Sequence, residues 1–154
     1  MNVEIVQFPA TQLAVIEHYG SPLLENNTLN KFIKWRQENN FLDSQKYQSY
    51  GIHYTNPNTT PLNEHHVDFA ISINCTIPPN DYGIINKKIP QLRCAKARDI
   101  GSRENNQAII YLLETWLPQS GERIGNFPPI FHYVNVGLNI QPQEMITDVY
   151  LPLA

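Results

Sequence analysis

Five histidines in a chain of 154 residues raise the question of a metal centre. His65 and His66 are neighbours in a strand-like stretch, so their side chains point to opposite faces and cannot share an ion. No His-x-x-x-His or Cys-x-x-Cys spacing occurs, and His53 and His132 suit structural or pocket-lining places better than a common metal. Nucleophilic catalysis has no signature either: there is no Gly-x-Ser-x-Gly elbow, and neither Cys75 nor Cys94 has a base beside it. Gly20 and Gly101 stand alone, without the Lys-Ser/Thr that a phosphate cradle needs. These patterns predict no catalytic residue, no metal and no cofactor. Among the carboxylates, Asp68 and Asp148 sit between apolar strand residues and read as hydrogen-bonding partners that pin strand ends. The aromatic residues are more suggestive, because Trp35, Tyr47, Tyr50, Tyr54, Trp116, Phe127, Phe131 and Tyr133 fall near helix ends and closing strands.

What must position them is an internal repeat. Pro9 and Pro90, Ala14 and Ala95, Gly20-Ser21 and Gly101-Ser102, Leu29 and Ile110, and Trp35 and Trp116 are each 81 residues apart. His53-Tyr54 matches His132-Tyr133 at a spacing of 79, and Asp68 matches Asp148 at 80. In the first copy, the β-branched segments at 3–6 and 13–16 read as one long strand kinked at Pro9. Ser21 can cap and Pro22 fits a first helical turn. Leu24, Thr28, Leu29, Phe32, Ile33 and Trp35 then recur near a 3.6-residue period, which predicts a helix to about residue 39. Strands are predicted at 47–54 and 65–74. The second copy repeats the order with a strand at 84–100, a helix at 102–116 stopped by Pro118 and Gly121, and strands at 130–136 and 145–151. The expected fold is α+β, with two βαββ repeats at about 1–77 and 82–154. These should form a single domain, a pseudo-twofold pair of antiparallel sheets with helices outside and a central groove where the repeats meet.

Composition narrows the function further. Apolar residues are 42% and charged residues 16%, so burial can offset chain entropy and a folded chain is expected. A net charge of -3 gives no basic stripe for counterion release, which disfavours direct nucleic-acid binding. No apolar stretch approaches the length of a membrane span, and no signal-peptide pattern opens the chain, so a cytoplasmic location is expected. Cys75 and Cys94 read as small buried hydrophobes.

These residues carry a resemblance to a known family. The run Leu13-Ala14-Val15-Ile16-Glu17-His18-Tyr19-Gly20 following Pro9, then Trp35, then Gly51-Ile52-His53-Tyr54-Thr55-Asn56-Pro57, resembles the GyrI-like, or AraC-type effector-binding, domain family. Trp116-Leu117-Pro118-Gln119-Ser120-Gly121, the segment from Pro129 to Tyr133, and Thr147-Asp148-Val149-Tyr150-Leu151-Pro152-Leu153 are similar to its closing signature. The resemblance implies bacterial modules whose groove takes lipophilic, often cationic, drug-like compounds. Many members carry a glutamate at the position of Phe131 here, so stacking, or another carboxylate such as Glu17 or Glu114, must replace it. Regulators of the family carry a DNA-binding domain ahead of this module. The first repeat begins at about Val3, so a stand-alone member is expected.

The resulting expectation is a module binding lipophilic, cationic or amphipathic small molecules. Tyr50, Tyr54, Trp116, Phe131 and Tyr133 form its walls, and Glu17, His18 and Glu114 its polar contacts. Two rival readings are a protein-interaction module, with gyrase or transcription machinery as partner, and a hydrolase of electrophilic compounds. A monomer and a dimer are equally compatible with the sequence.

Overall fold

The computed structural model describes residues 1–56, 58–137 and 139–154. Pro57, which closes the run beginning at Gly51, lies outside the described residues. The chain is α+β, with eight strands among the described residues and antiparallel pairing between the strands of each unit. It divides into two compact units, Thr11–Ile89 and the combination of Met1–Ala10 with Pro90–Ala154.

That division corrects the reading of one long strand at each proline. The segment before Pro9 is a strand of its own, β1 (Val3–Phe8), and the segment after it is β2 (Thr11–Tyr19). Pro90 likewise separates β5 (Ile84–Ile89) from β6 (Leu92–Ile100). Proline has no N–H for a ladder, so the strand breaks there. β1 then pairs with β6, from Val3 opposite Ala97 to Phe8 opposite Leu92, whereas β5 pairs with β2, from Thr11 opposite Ile89 to Ile16 opposite Ile84.

In the unit Thr11–Ile89, β3 (Ser49–His53) pairs with β4 (His66–Ser72), β4 with β2, and β2 with β5. Ser21 Oγ accepts from the Leu23 N–H at 3.2 Å and caps a short 3₁₀ turn, Pro22–Leu24, which leads into α1 (Glu25–Glu38). α1 buries Phe32 and Trp35 against Ala14, Ile16, Val67, Phe69, Ile71 and Ile84 on one face of the sheet. Trp35, Phe41 and Tyr47 continue this core as a run of ring contacts near 5 Å. That face is sealed: Trp35 is only 3% exposed.

In the other unit, β6 pairs with β1 on one side and with β8 (Ile146–Pro152) on the other, and β8 pairs with β7 (Ile130–Tyr133). Asn106 Oδ1 accepts from the Ile109 N–H at 3.0 Å and caps α2 (Gln107–Tyr111). A π-helical segment, Leu112–Trp116, and α3 (Leu117–Ser120) follow without a break. The predicted stop at Pro118 does not occur. The wide turn bonds the Leu117 N–H to the Leu112 carbonyl, and in this altered register the helix accommodates a residue with no N–H to give. It ends instead at Gly121, whose φ of 75° is the left-handed cap that glycine adopts without a Cβ penalty. Ala108, Leu112, Ala95, Ala97, Val149 and Leu151 form the core beneath, with Trp116 and Phe131 packed on it only partly buried.

Cys94 is buried, and burial pushes its thiol up to about 11, whereas Cys75 is exposed. Iodoacetamide at pH 8 should therefore alkylate one thiol of the native protein and two after denaturation, read by intact mass.

Candidate functional site

Two groups of side chains stand out, one in each unit. In Met1–Ala10 with Pro90–Ala154, strand register sets out two cross-strand rows on the helix-bearing face. Ala97, Val149 and Phe131 form one, and Asp99, Thr147 and Tyr133 the next. Trp116 and Phe131 pack on the same apolar core and keep part of their surface in solvent. The Arg103 guanidinium lies 5.0 Å from the Tyr133 ring centre, donates to Thr147 Oγ1 at 3.1 Å and to the Asn135 and Ile146 carbonyls at 2.8 and 3.1 Å. Burial holds its pKa below the usual value. Asp99 is buried; its Oδ1 accepts from the Gln107 N–H at 3.0 Å, while its Oδ2 has no hydrogen-bond partner among the described residues. Glu114 lies in the π segment and is exposed.

The unit Thr11–Ile89 carries its polar group on the face away from α1. Tyr19, His66 and Tyr54 form a row of stacked rings, with His66 between the tyrosines at 4.1 Å from each. Beneath them Glu17 stands opposite Asp68, and Lys87 reaches both carboxylates, at 2.9 Å from Glu17 Oε2 and 2.7 Å from Asp68 Oδ2. Asp68 is fully buried and also accepts from the Tyr54 hydroxyl at 3.0 Å and from His66 Nε2 at 2.9 Å. The Lys87 hydrogen bond holds the Glu17 carboxyl below its usual pKa. Burial alone would lower the Lys87 pKa, but its two carboxylate partners outweigh that and raise it. Burial, reinforced by the Asp68 charge, pushes the Tyr54 hydroxyl up to about 12.

The eight residues expected to line the ligand therefore fall into distinct settings. Glu17 and Tyr54 share the polar cluster. Tyr50 is on the same sheet face as Asp68 but buried. His18 is buried on the α1 side; Ser21's carbonyl can only accept, so Nε2 donates to it at 2.9 Å, and Nδ1 meets Thr28 Oγ1 at 2.7 Å. These bonds make His18 a brace for the turn into α1. Trp116, Phe131 and Tyr133 are together in the other unit, with Glu114 on its helix.

Sequence reasoning passed over three contributors: Asp99 as a buried acid with one unpartnered oxygen, Lys87, and His66. The 81-residue register held one clue, since it matches Asp99 with His18. The 79-residue match of His53 with His132 does not survive strand pairing. Ile52 stands opposite Asp68, and His132 stands opposite Asp148, so the two histidines differ by one residue in register and face opposite sides of their sheets.

The chain is thus an α+β fold with a partly exposed aromatic face in one unit and a polar cluster in the other. A family model, the GyrI-like small molecule binding domain, matches residues 1–154, and the chain belongs to this family. It is 34% identical to the probable transcriptional regulator YgiV of Escherichia coli (strain K12), over all of this chain and 97% of that protein. The fold is like the crystal structure of the EcmrR C-terminal domain, with a TM-score of 0.79 at 16% identity over 99% of this chain and 97% of that one. It is also like SAV2435 bound to tetraphenylphosphonium, with a TM-score of 0.56 at 12% identity over 100% and 94% of the chains. Among the described residues, no helix is long and apolar enough to cross a membrane.

Proposed function

We propose that this chain, a duplicated βαββ module, binds lipophilic cationic or amphipathic small molecules on the aromatic face of the unit Met1–Ala10 with Pro90–Ala154. The observation that carries the reading is that partly exposed Trp116 and Phe131 share one sheet face with buried Asp99, whose Oδ2 has no hydrogen-bond partner among the described residues. Arg103 already covers the Tyr133 ring, so Trp116 and Phe131 supply the stacking surface. Asp99 takes the part of the acid that Phe131 replaces. A buried carboxylate oxygen without a donor is costly, and a ligand cation relieves that cost in a way that neutral compounds do not. Aromatic faces add about 0.5–2 kcal/mol for a cation, beyond apolar burial. The tetraphenylphosphonium complex of SAV2435 supports this ligand class by likeness of fold.

The two tryptophans make the test direct, because Trp35 is sealed in its own core and Trp116 is not. Titrating a planar aromatic cation should quench Trp116 emission saturably, with a dissociation constant in the range of about 1–100 μM. Trp116→Ala should weaken binding by about 1–2 kcal/mol, roughly 5- to 30-fold, followed by dye displacement. Asp99→Asn should weaken the cation and spare its neutral isostere. No saturation below millimolar would refute the reading. Binding untouched by both substitutions would move the site elsewhere.

A further inference from the structure

The cluster on the other unit is not used by this reading, and its geometry has a chemistry of its own. His66 Nε2 lies 2.9 Å from Asp68 Oδ1 and 3.7 Å from Glu17 Oε2. One donor atom from each of Glu17, His66 and Asp68 lies within 4.8 Å of the others. Ligands about 2.0–2.2 Å from a common ion are some 3–4 Å apart, so side-chain shifts of about an ångström close the set. We propose that Glu17, His66 and Asp68 form a binding site for a divalent transition-metal ion of the zinc type, the ion taking the place held by the Lys87 ammonium.

Charge favours the exchange. Two carboxylates and one ammonium leave a net charge of -1, which a divalent ion in place of the ammonium brings to zero. Lys87 is partly exposed, and its flexible stem lets the ammonium turn to water. The imidazole and carboxylate donors suit zinc, cobalt or nickel better than magnesium or calcium, which prefer all-oxygen sets. His66 Nε2, which meets Asp68 Oδ1 at 2.9 Å in the metal-free chain, turns its lone pair to the ion, and the imidazole proton sits on Nδ1. Tyr19 and Tyr54 hold the imidazole plane from both sides, and the Tyr54 hydroxyl holds the second oxygen of Asp68. The other unit contains its own control. Opposite Asp148 stands Arg98, not a carboxylate, and its guanidinium occupies both Asp148 oxygens at 2.7 and 3.0 Å.

Cobalt(II) titration of the whole chain, followed by visible absorption, tests the site, because nitrogen and oxygen ligation gives bands that the free ion lacks. The wild type should take up one ion per chain. His66→Ala and the milder Glu17→Gln should each weaken uptake about tenfold or more, and Lys87→Met, which removes the competing ammonium, should strengthen it by about as much. Absence of saturable uptake up to millimolar cobalt in the wild type overturns the proposal, including the case in which only Lys87→Met binds. Uptake indifferent to both ligand substitutions overturns it as well. The aromatic cation titration reads the other unit, so either result can fail without the other.

Discussion

Asp68→Ala should lower stability by about 3–5 kcal/mol, the range for breaking a buried charged network by removing one partner. Three donors depend on that carboxylate: the Lys87 ammonium at 2.7 Å, the Tyr54 hydroxyl at 3.0 Å and His66 Nε2 at 2.9 Å. Asp68 itself is fully buried, so water does not replace it when it goes. The Lys87 ammonium can turn to water, but the Tyr54 hydroxyl and His66 Nε2 both lose the acceptor at the buried end of their stacked rings. Asp148→Ala provides the comparison. Its main partner Arg98 has a half-exposed side chain, which water can resolvate, so this loss should be clearly smaller. Urea unfolding of both variants at pH 7 measures the contrast. A loss below about 1 kcal/mol for Asp68→Ala would mean that the network contributes little to the fold.

The second large effect is acid sensitivity centred on His53. Burial lowers its imidazole pKa to about 4, from an ordinary value of 6.5, and its Nε2 is closed to solvent. A folded-state value below the unfolded one means that the unfolded chain binds the proton more readily. The contribution is therefore fully present above about pH 6.5 and is lost as the pH falls toward 4. A shift of about 2.5 units corresponds to about 3 kcal/mol across that window. His132, also lowered by burial although the Asp148 charge opposes the shift, adds in the same direction. Unfolding free energies of the wild type should decline steadily between pH 7 and pH 4.5, and His53→Gln should flatten that decline. An unchanged slope in the variant would assign the sensitivity to other groups.

The sequence carried the order of elements because each depends on local chemistry. The apolar period of residues 24–35, the Ser21 cap and the alternation around Asp68 and Asp148 all act over one or two turns of chain. It did not carry the destination of β1 and β5. Pro9 and Pro90 announce a break, but nothing in six residues of alternating pattern says which strand lies alongside: β1 pairs with β6 and β5 with β2, so each belongs to a different unit from the strand that follows its proline. The π turn was hidden for a related reason: it lies at Leu112–Trp116, just ahead of Pro118 in a packed helix, and no composition marks it. The polar cluster was invisible because its members come from β2, β4, β5 and the residue after β3. Glu17, Tyr54, His66, Asp68 and Lys87 show no ligand spacing in one dimension and meet only through strand register. The aromatic residues Trp116, Phe131 and Tyr133 were legible as a set, since each lies next to a helix end or in a closing strand. Their partial exposure, and the contrast with sealed Trp35, required the packed structure.

On the proposed function, the aromatic face carrying Trp116 and Phe131 receives the ligand. Amide and indole NMR shifts of the labelled protein, followed through a titration with tetraphenylphosphonium, test it most directly. The prediction is a saturable set of changes centred on the Trp116 indole, Phe131, Tyr133 and Asp99, with the Trp35 indole unmoved. Changes centred instead on Tyr19, Tyr54 and His66, or no saturable change at all, would contradict it.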